Sequence, residues 1–138
     1  MRNDRPLSTG EWWRWRLVPL LAWIGMILWM ASRPKAAFFL PDKDLIFGIP
    51  RQFAQYGYHV GVFFVLAILF QRCLPPFRAW TIVRGIELRS LVGSVFVSIC
   101  SEVIQFYVPT RTPTVRDLAL DLFGTVLALG LARRIQLA

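Results

Sequence analysis

Four apolar stretches, separated by short polar and basic segments, run the length of the chain: Leu17 to Ser32, Phe53 to Phe70, Leu91 to Val108 and Asp117 to Ala132. The first two contain no Asp, Glu, Lys or Arg. With its flanking residues, each approaches the roughly 17 to 25 residues that a helix needs to cross hydrocarbon. The pattern predicts an all-α fold: one domain over residues 1–138, a polytopic bundle of four transmembrane helices at about 12–32, 53–70, 88–108 and 114–132. Trp12, Trp13 and Trp15 precede the first run, where amphipathic rings suit the headgroup level. Pro19 is expected in the first turn of that span, where a missing N–H is harmless. A basic leader before an apolar segment also describes a secretory signal, but this segment is long for one and three more spans follow, so it reads as retained. Between Arg33 and Gln52 the apolar pieces Ala36–Leu40 and Leu45–Phe47 are too short to span and are expected at the interface or over the end of the bundle. Pro75-Pro76 breaks the chain after the second run, and Gln71 to Arg89 is expected to form a basic loop.

Composition agrees with a bilayer location. The chain is 56% hydrophobic with a mean hydropathy of +0.50, which leaves too few polar residues to cover a soluble globule of 138 residues. The net charge of +8 points first to nucleic acid, but the arginines cluster between apolar runs and form no continuous basic face, which excludes that class. Their distribution bears on topology. The leader, the 71–89 loop and the tail carry ten Lys and Arg and the other two loops carry six, so both termini are expected on the cytoplasmic side. Cys73 and Cys100 should lie at different depths, which argues against a disulfide.

Candidate chemistry lies in the last two runs. A charge at membrane depth costs about 2.5 to 3.5 kcal/mol on insertion scales and usually faces a bundle interior, a wet cavity or a partner. Ser94, Ser98, Ser101, Glu102 and Gln105 fall at i, i+4, i+7, i+8 and i+11, one polar face of a helix. The expected topology places His59, Glu102, Gln105, Arg111, Asp117 and Asp121 in the outer half of the bundle. At a rise of about 1.5 Å per residue, Glu102 and Asp121 lie at similar depth on consecutive helices. Asp121, Gly124, Thr125 and Ala128 share one face of the last helix, so the third and fourth spans are expected to pack with their polar stripes together.

Each residue also has a plainer reading. Glu102, Gln105 and Asp121 suit interhelical hydrogen bonds that merely hold the bundle together. Thr114 and Asp117 fit the N-cap and N3 positions of a capping box with Asp in place of Glu. Arg111 and Arg116 suit interface anchoring, an internal ion pair with the acids, or a bidentate grip on a phosphate or carboxylate. His59 is the only histidine and shares a helical face with Tyr56; a packing role and a ligand role both fit it. No zinc-like spacing, phosphate-binding glycine loop, nucleophile elbow or dinucleotide fingerprint occurs, so no metal and no cofactor is expected.

The run Glu102-x-x-Gln105, Pro109-x-Arg111, Thr114-x-x-Asp117, Asp121-x-x-Gly124 resembles the C-terminal signature of VanZ-like membrane proteins, a family named for a glycopeptide-resistance accessory protein associated with teicoplanin. Thr114 stands where that pattern has serine, keeping a capping hydroxyl, and Asp121 stands where it has asparagine. His59 matches the histidine of the family's N-terminal half, although the only Asp-Lys pair, Asp42-Lys43, lies well upstream of it. The resemblance implies a small multi-pass protein of the bacterial cytoplasmic (inner) membrane with its motif toward the outer face. In the founding context it implies interference with a glycopeptide acting on cell-wall precursors, hence antibiotic resistance as an attribute of the family.

Three functions are compatible with this reading. The first is an accessory or binding protein whose outward-facing polar cleft recognises a lipid headgroup, a lipid-linked envelope precursor or an amphiphilic glycopeptide. In it Arg111 and Arg116 grip anionic groups, Glu102 and Gln105 orient the ligand, and Tyr107 lines the rim. The second is a membrane enzyme acting on a lipid-linked substrate, with Glu102 as general acid or base and His59 as its partner. The third is a scaffold for another membrane protein.

Overall fold

The computed structural model describes residues 9–34, 45–46, 49–73, 80–109 and 111–137. These residues form four helices, α1 (Thr9–Ala31), α2 (Arg51–Cys73), α3 (Trp80–Phe106) and α4 (Val115–Leu137). Just before α2 lies a small antiparallel hairpin of β1 (Leu45–Ile46) and β2 (Ile49–Pro50), with Leu45 opposite Pro50 and Ile46 opposite Ile49. The remaining apolar piece of that connection, Ala36–Leu40, lies outside the described residues, as do Asp42 and Lys43.

Several helix boundaries differ from the sequence expectation, for one reason. Hydropathy marks where an apolar segment ends, whereas a helix continues until its backbone is broken. Thus α1 starts at Thr9, which puts Pro19 inside the helix and not in its first turn. There proline removes an i→i−4 hydrogen bond. The expected 71–89 loop is much shorter: α3 starts at Trp80, soon after Pro75-Pro76, and takes Arg84, Glu87 and Arg89 into the helix. The C-terminal arginines, Arg133 and Arg134, lie inside α4.

The helices alternate in direction, so the C-terminal ends of α1 and α3 meet the N-terminal ends of α2 and α4. Both α2 and α3 pack against every other helix, and among the described residues α1 and α4 do not touch. This diamond arrangement has an apolar half and a polar half. Between α1, α2 and α3, the buried side chains are Leu20, Ile27, Phe63, Leu66 and Val97, with Trp23 packed beside them and donating its indole N–H to the Val62 carbonyl at 3.1 Å.

The half built from α2, α3 and α4 is different. Apart from Leu66, the largest fully buried side chains among the described residues are Thr125, Asp121, Ser90, Ser94 and Ser98. Asp121 and Ser94 are each 1% exposed, whereas Phe96 is 66% and Phe123 59% exposed on the same two helices. A water-soluble globule has the opposite distribution, with large apolar side chains inside and acids outside. A close backbone approach joins α2 to α4: a Cβ on Gly124 would overlap the Val60 carbonyl oxygen and crowd the Val60 carbonyl carbon and Cα. The small face of α4 therefore takes α2, in addition to the α3 partner expected from the polar stripes.

Among the described residues, two helices carry segments long and apolar enough to cross a membrane on length and composition, Arg14–Ala31 and Gln52–Cys73, with mean hydropathies of 1.2 and 1.6. The expectation of four such segments is met for α1 and α2. In α3 and α4 the buried serines, the acids and the flanking arginines dilute the signal.

Candidate functional site

The polar half ends in a cluster where α2, α3 and α4 converge. Asp121 is at its centre. His59 Nδ1 on α2 lies 2.8 Å from Asp121 Oδ1, and the Ser98 hydroxyl on α3 donates to Asp121 Oδ2 at 2.5 Å. One carboxylate thus links three helices. The spacing that places it there is simple: Ser98 lies one turn before Glu102 on α3, and Asp121 lies one turn after Asp117 on α4. Two side chains along the seam bond locally, Thr125 Oγ1 to the Asp121 carbonyl at 3.0 Å and Ser101 Oγ to the Ser98 carbonyl at 2.9 Å, whereas the buried Ser90 and Ser94 hydroxyls have no partner among the described residues.

Glu102 is in the last turns of α3 and reaches the start of α4. Its Oε2 accepts the backbone N–H of Thr114 at 3.0 Å, and its Oε1 accepts from Gln105 Nε2 at 3.3 Å. Thr114 is the N-cap of α4, its Oγ1 accepting the Asp117 N–H at 3.2 Å. In an ordinary capping box the N3 side chain returns a bond to the N-cap N–H. Here Glu102 occupies that donor from another helix. Asp117 is consequently released from the reciprocal role, and its Oδ1 is buried without a hydrogen-bond partner among the described residues, the residue being 4% exposed.

Both arginines make contacts within the protein. Arg111 donates from Nε to the Arg33 carbonyl at 3.0 Å and from Nη2 to the Met30 carbonyl at 3.2 Å. It therefore caps the C-terminus of α1, whose last carbonyls lack helical donors. Burial pulls its guanidinium below the usual arginine range, opposed by Tyr58, Asp117 and Glu102 nearby. Arg116 stacks 4.9 Å over the Tyr56 ring and donates to the Tyr56 hydroxyl at 2.8 Å. Tyr56, one face with His59, is thus its anchor.

His59, Glu102, Gln105, Asp117 and Asp121 therefore share one end of the bundle, with Arg111 at its edge and Arg116 outside it. One pairing differs from expectation: His59 is bonded to Asp121, where the enzyme reading had made it the partner of Glu102. Tyr107 is 78% exposed just beyond the end of α3 and packs edge-on against Phe106. Ser98 belongs to the centre of the site although the sequence marked it only as part of a polar stripe; the level expected for Asp121 was that of Glu102, one turn nearer the end of α3, and only the packing of α3 on α4 brings Ser98 to Asp121 while Glu102 reaches Thr114.

Chemically, the Asp121 bond holds the His59 ring by Nδ1 and leaves Nε2 for another group, the ring side chain being 12% exposed. The Ser98 hydroxyl points its proton at a carboxylate and not at an imidazole, so it forms no serine–histidine pair of the kind that activates a nucleophile. Among the described residues, no three His, Cys, Asp or Glu side chains are arranged to hold a metal ion.

No curated protein and no solved structure matches this chain. A family model described as VanZ/LLP1 matches residues 15–136, which takes in all four helices nearly to their ends and every residue of the cluster. The chain belongs to the VanZ/LLP1 family.

Proposed function

We propose that this protein is an integral protein of the bacterial cytoplasmic membrane, crossing it four times with both termini inside. In this reading the His59, Glu102, Gln105, Asp117 and Asp121 cluster faces outward as a recognition site for a lipid headgroup, a lipid-linked envelope precursor or an amphiphilic glycopeptide. The observation that carries it is the inverted distribution of side chains: acids and hydroxyls are sealed between α2, α3 and α4 while phenylalanine, valine and leucine cover the outside. Lipid solvates that exterior, and polar groups in hydrocarbon turn inward. Membership in the VanZ/LLP1 family supports the same reading. The lysine and arginine count supports inner termini.

The test is ligand retention. The protein is purified in mild detergent, and native mass spectrometry records the phospholipid, lipid-linked precursor or glycopeptide that stays bound. Glu102→Ala and His59→Gln are expected to lose the retained molecule by about tenfold or more, in line with removal of a charged hydrogen-bonding group. Full retention by both folded variants overturns the assignment of this cluster as the binding site.

One observation favours catalysis as a second reading. Asp121 orients His59 as a carboxylate orients a general base, with Nε2 open to a water or a substrate hydroxyl. Lipid-linked substrate incubated with the protein would then be turned over, and His59→Gln would abolish turnover without loss of binding. Recovery of the substrate unchanged by the wild-type protein removes this reading.

A further inference from the structure

We propose that the cluster takes a primary ammonium group, so that the recognised molecule presents an –NH3+ and not an anion to this site. This rests on the outward binding site proposed above and names the chemistry of its ligand.

The starting point is Asp117. Its Oδ1 is buried and has no hydrogen-bond partner among the described residues, a state that costs free energy unless a donor arrives. The reason is visible in the cap: Glu102 has taken the Thr114 N–H that an N3 acid ordinarily accepts. The second point is the local balance of charge-bearing groups. Glu102 lies within electrostatic reach of Asp117, Asp121 and His59, and His59 in turn senses all three acids. Three carboxyl groups therefore meet one histidine and one guanidinium, Arg111, and the latter is engaged on the carbonyls of Met30 and Arg33. Arg116, exposed and stacked on Tyr56, does not join them.

The third point is the kind of donor required. These groups do not converge as a metal's ligands do. Metal–oxygen bonds of about 2.0 to 2.6 Å demand tight convergence, whereas an ammonium donates three hydrogen bonds at about 2.7 to 2.9 Å to acceptors spread more widely. Asp117 Oδ1 is one such acceptor. The Glu102 carboxylate, each oxygen of which keeps a second lone pair, is another, and His59 Nε2 is the third when Nδ1 donates to Asp121. A quaternary ammonium has no N–H and leaves Asp117 unsatisfied. The site should therefore separate primary amines from their trimethylated counterparts, which share the same charge.

The experiment titrates the detergent-purified full chain with dihexanoyl phosphatidylethanolamine, with dihexanoyl phosphatidylcholine, and with water-soluble ethanolamine, reading bound molecules by native mass spectrometry. Phosphatidylethanolamine is expected to bind about tenfold or more tightly than phosphatidylcholine, and Asp117→Ala, which removes the acceptor oxygen that only an N–H can use, is expected to erase that preference. Competition by free ethanolamine identifies a soluble amine as the source of the group; competition by the lipid alone identifies a headgroup. Equal binding of the two lipids overturns the ammonium assignment whatever Asp117→Ala does, and so does a preference untouched by that substitution. Equal binding that is nevertheless lost in Glu102→Ala leaves the outward site standing without its amine. Failure of the ammonium assignment and failure of the site reading are thereby separated.

Discussion

At the scale of single residues, Asp121 shows how one atom's difference governs a neighbour. As an aspartate it accepts from both His59 Nδ1 and the Ser98 hydroxyl. An asparagine there has one acceptor oxygen and one amide donor group. If the oxygen stays with Ser98, the amide must donate to Nδ1, and the imidazole must carry its proton on Nε2. Asp121→Asn is therefore expected to switch the ring tautomer from Nδ1–H to Nε2–H. Because His59 is the only histidine, nitrogen NMR of ring-labelled protein reads this directly. An unchanged tautomer would mean that Asp121 does not set the ring. The sequence allowed Asp121 to be picked out as a buried acid, since an acid in an apolar run needs a reason to be there. Which residue it served was not legible, because histidine and aspartate are 62 positions apart and only helix packing joins them.

At the scale of elements, two contacts hold the site together from outside it. Arg111 ties the end of α1 to the turn that leads into α4 through two main-chain carbonyls. Arg111→Ala is expected to destabilise the protein by about 1 to 3 kcal/mol, as charged hydrogen bonds do when one partner is removed, and to speed amide exchange at the C-terminus of α1 before that of the other helices. Exchange that rises equally everywhere would argue against a capping role. Gly124 is the second contact. Adding a methyl group there presses on the Val60 backbone, which has no rotamer with which to yield. Gly124→Ala should therefore lower thermal stability by about 1 to 3 kcal/mol. A thermal midpoint equal to that of the parent would contradict the close approach. Capping at Thr114 was legible beforehand from the Thr-x-x-Asp spacing, since a cap is a local matter of three residues. The use of Glu102 in place of Asp117 was not, because it depends on where another helix ends.

At the scale of the whole molecule, acids and hydroxyls lie inside the polar half and large apolar side chains outside it, the distribution on which the membrane proposal rests. The proposed topology makes a direct prediction. In a background lacking Cys73 and Cys100, a cysteine at position 111 should react with an impermeant thiol reagent applied from outside intact cells. A cysteine at position 84 should react only after the membrane is opened. Reaction of both from the same side would remove the alternating arrangement. A replacement of Arg111 also loosens α1, so Thr112→Cys serves as a second outer reporter; it lies in the same turn and is exposed.

The amino-acid sequence alone determined the helical class, the number of helices, the polar face of α3, the cap of α4 and the family signature. Each of these is carried by short-range periodicity or by a few neighbouring side chains, and such terms do not need the partner helix to be known. Tertiary structure decided the rest: Asp121 as the shared acceptor of His59 and Ser98, Glu102 as the cap-completing acceptor, Arg111 as the clasp on α1, and Asp117 as the acid with an open oxygen. Hydrogen bonds act over about 3 Å, so which acid meets which donor follows from how four helices are rotated and registered against each other, and that is fixed by side-chain packing distributed over the whole chain.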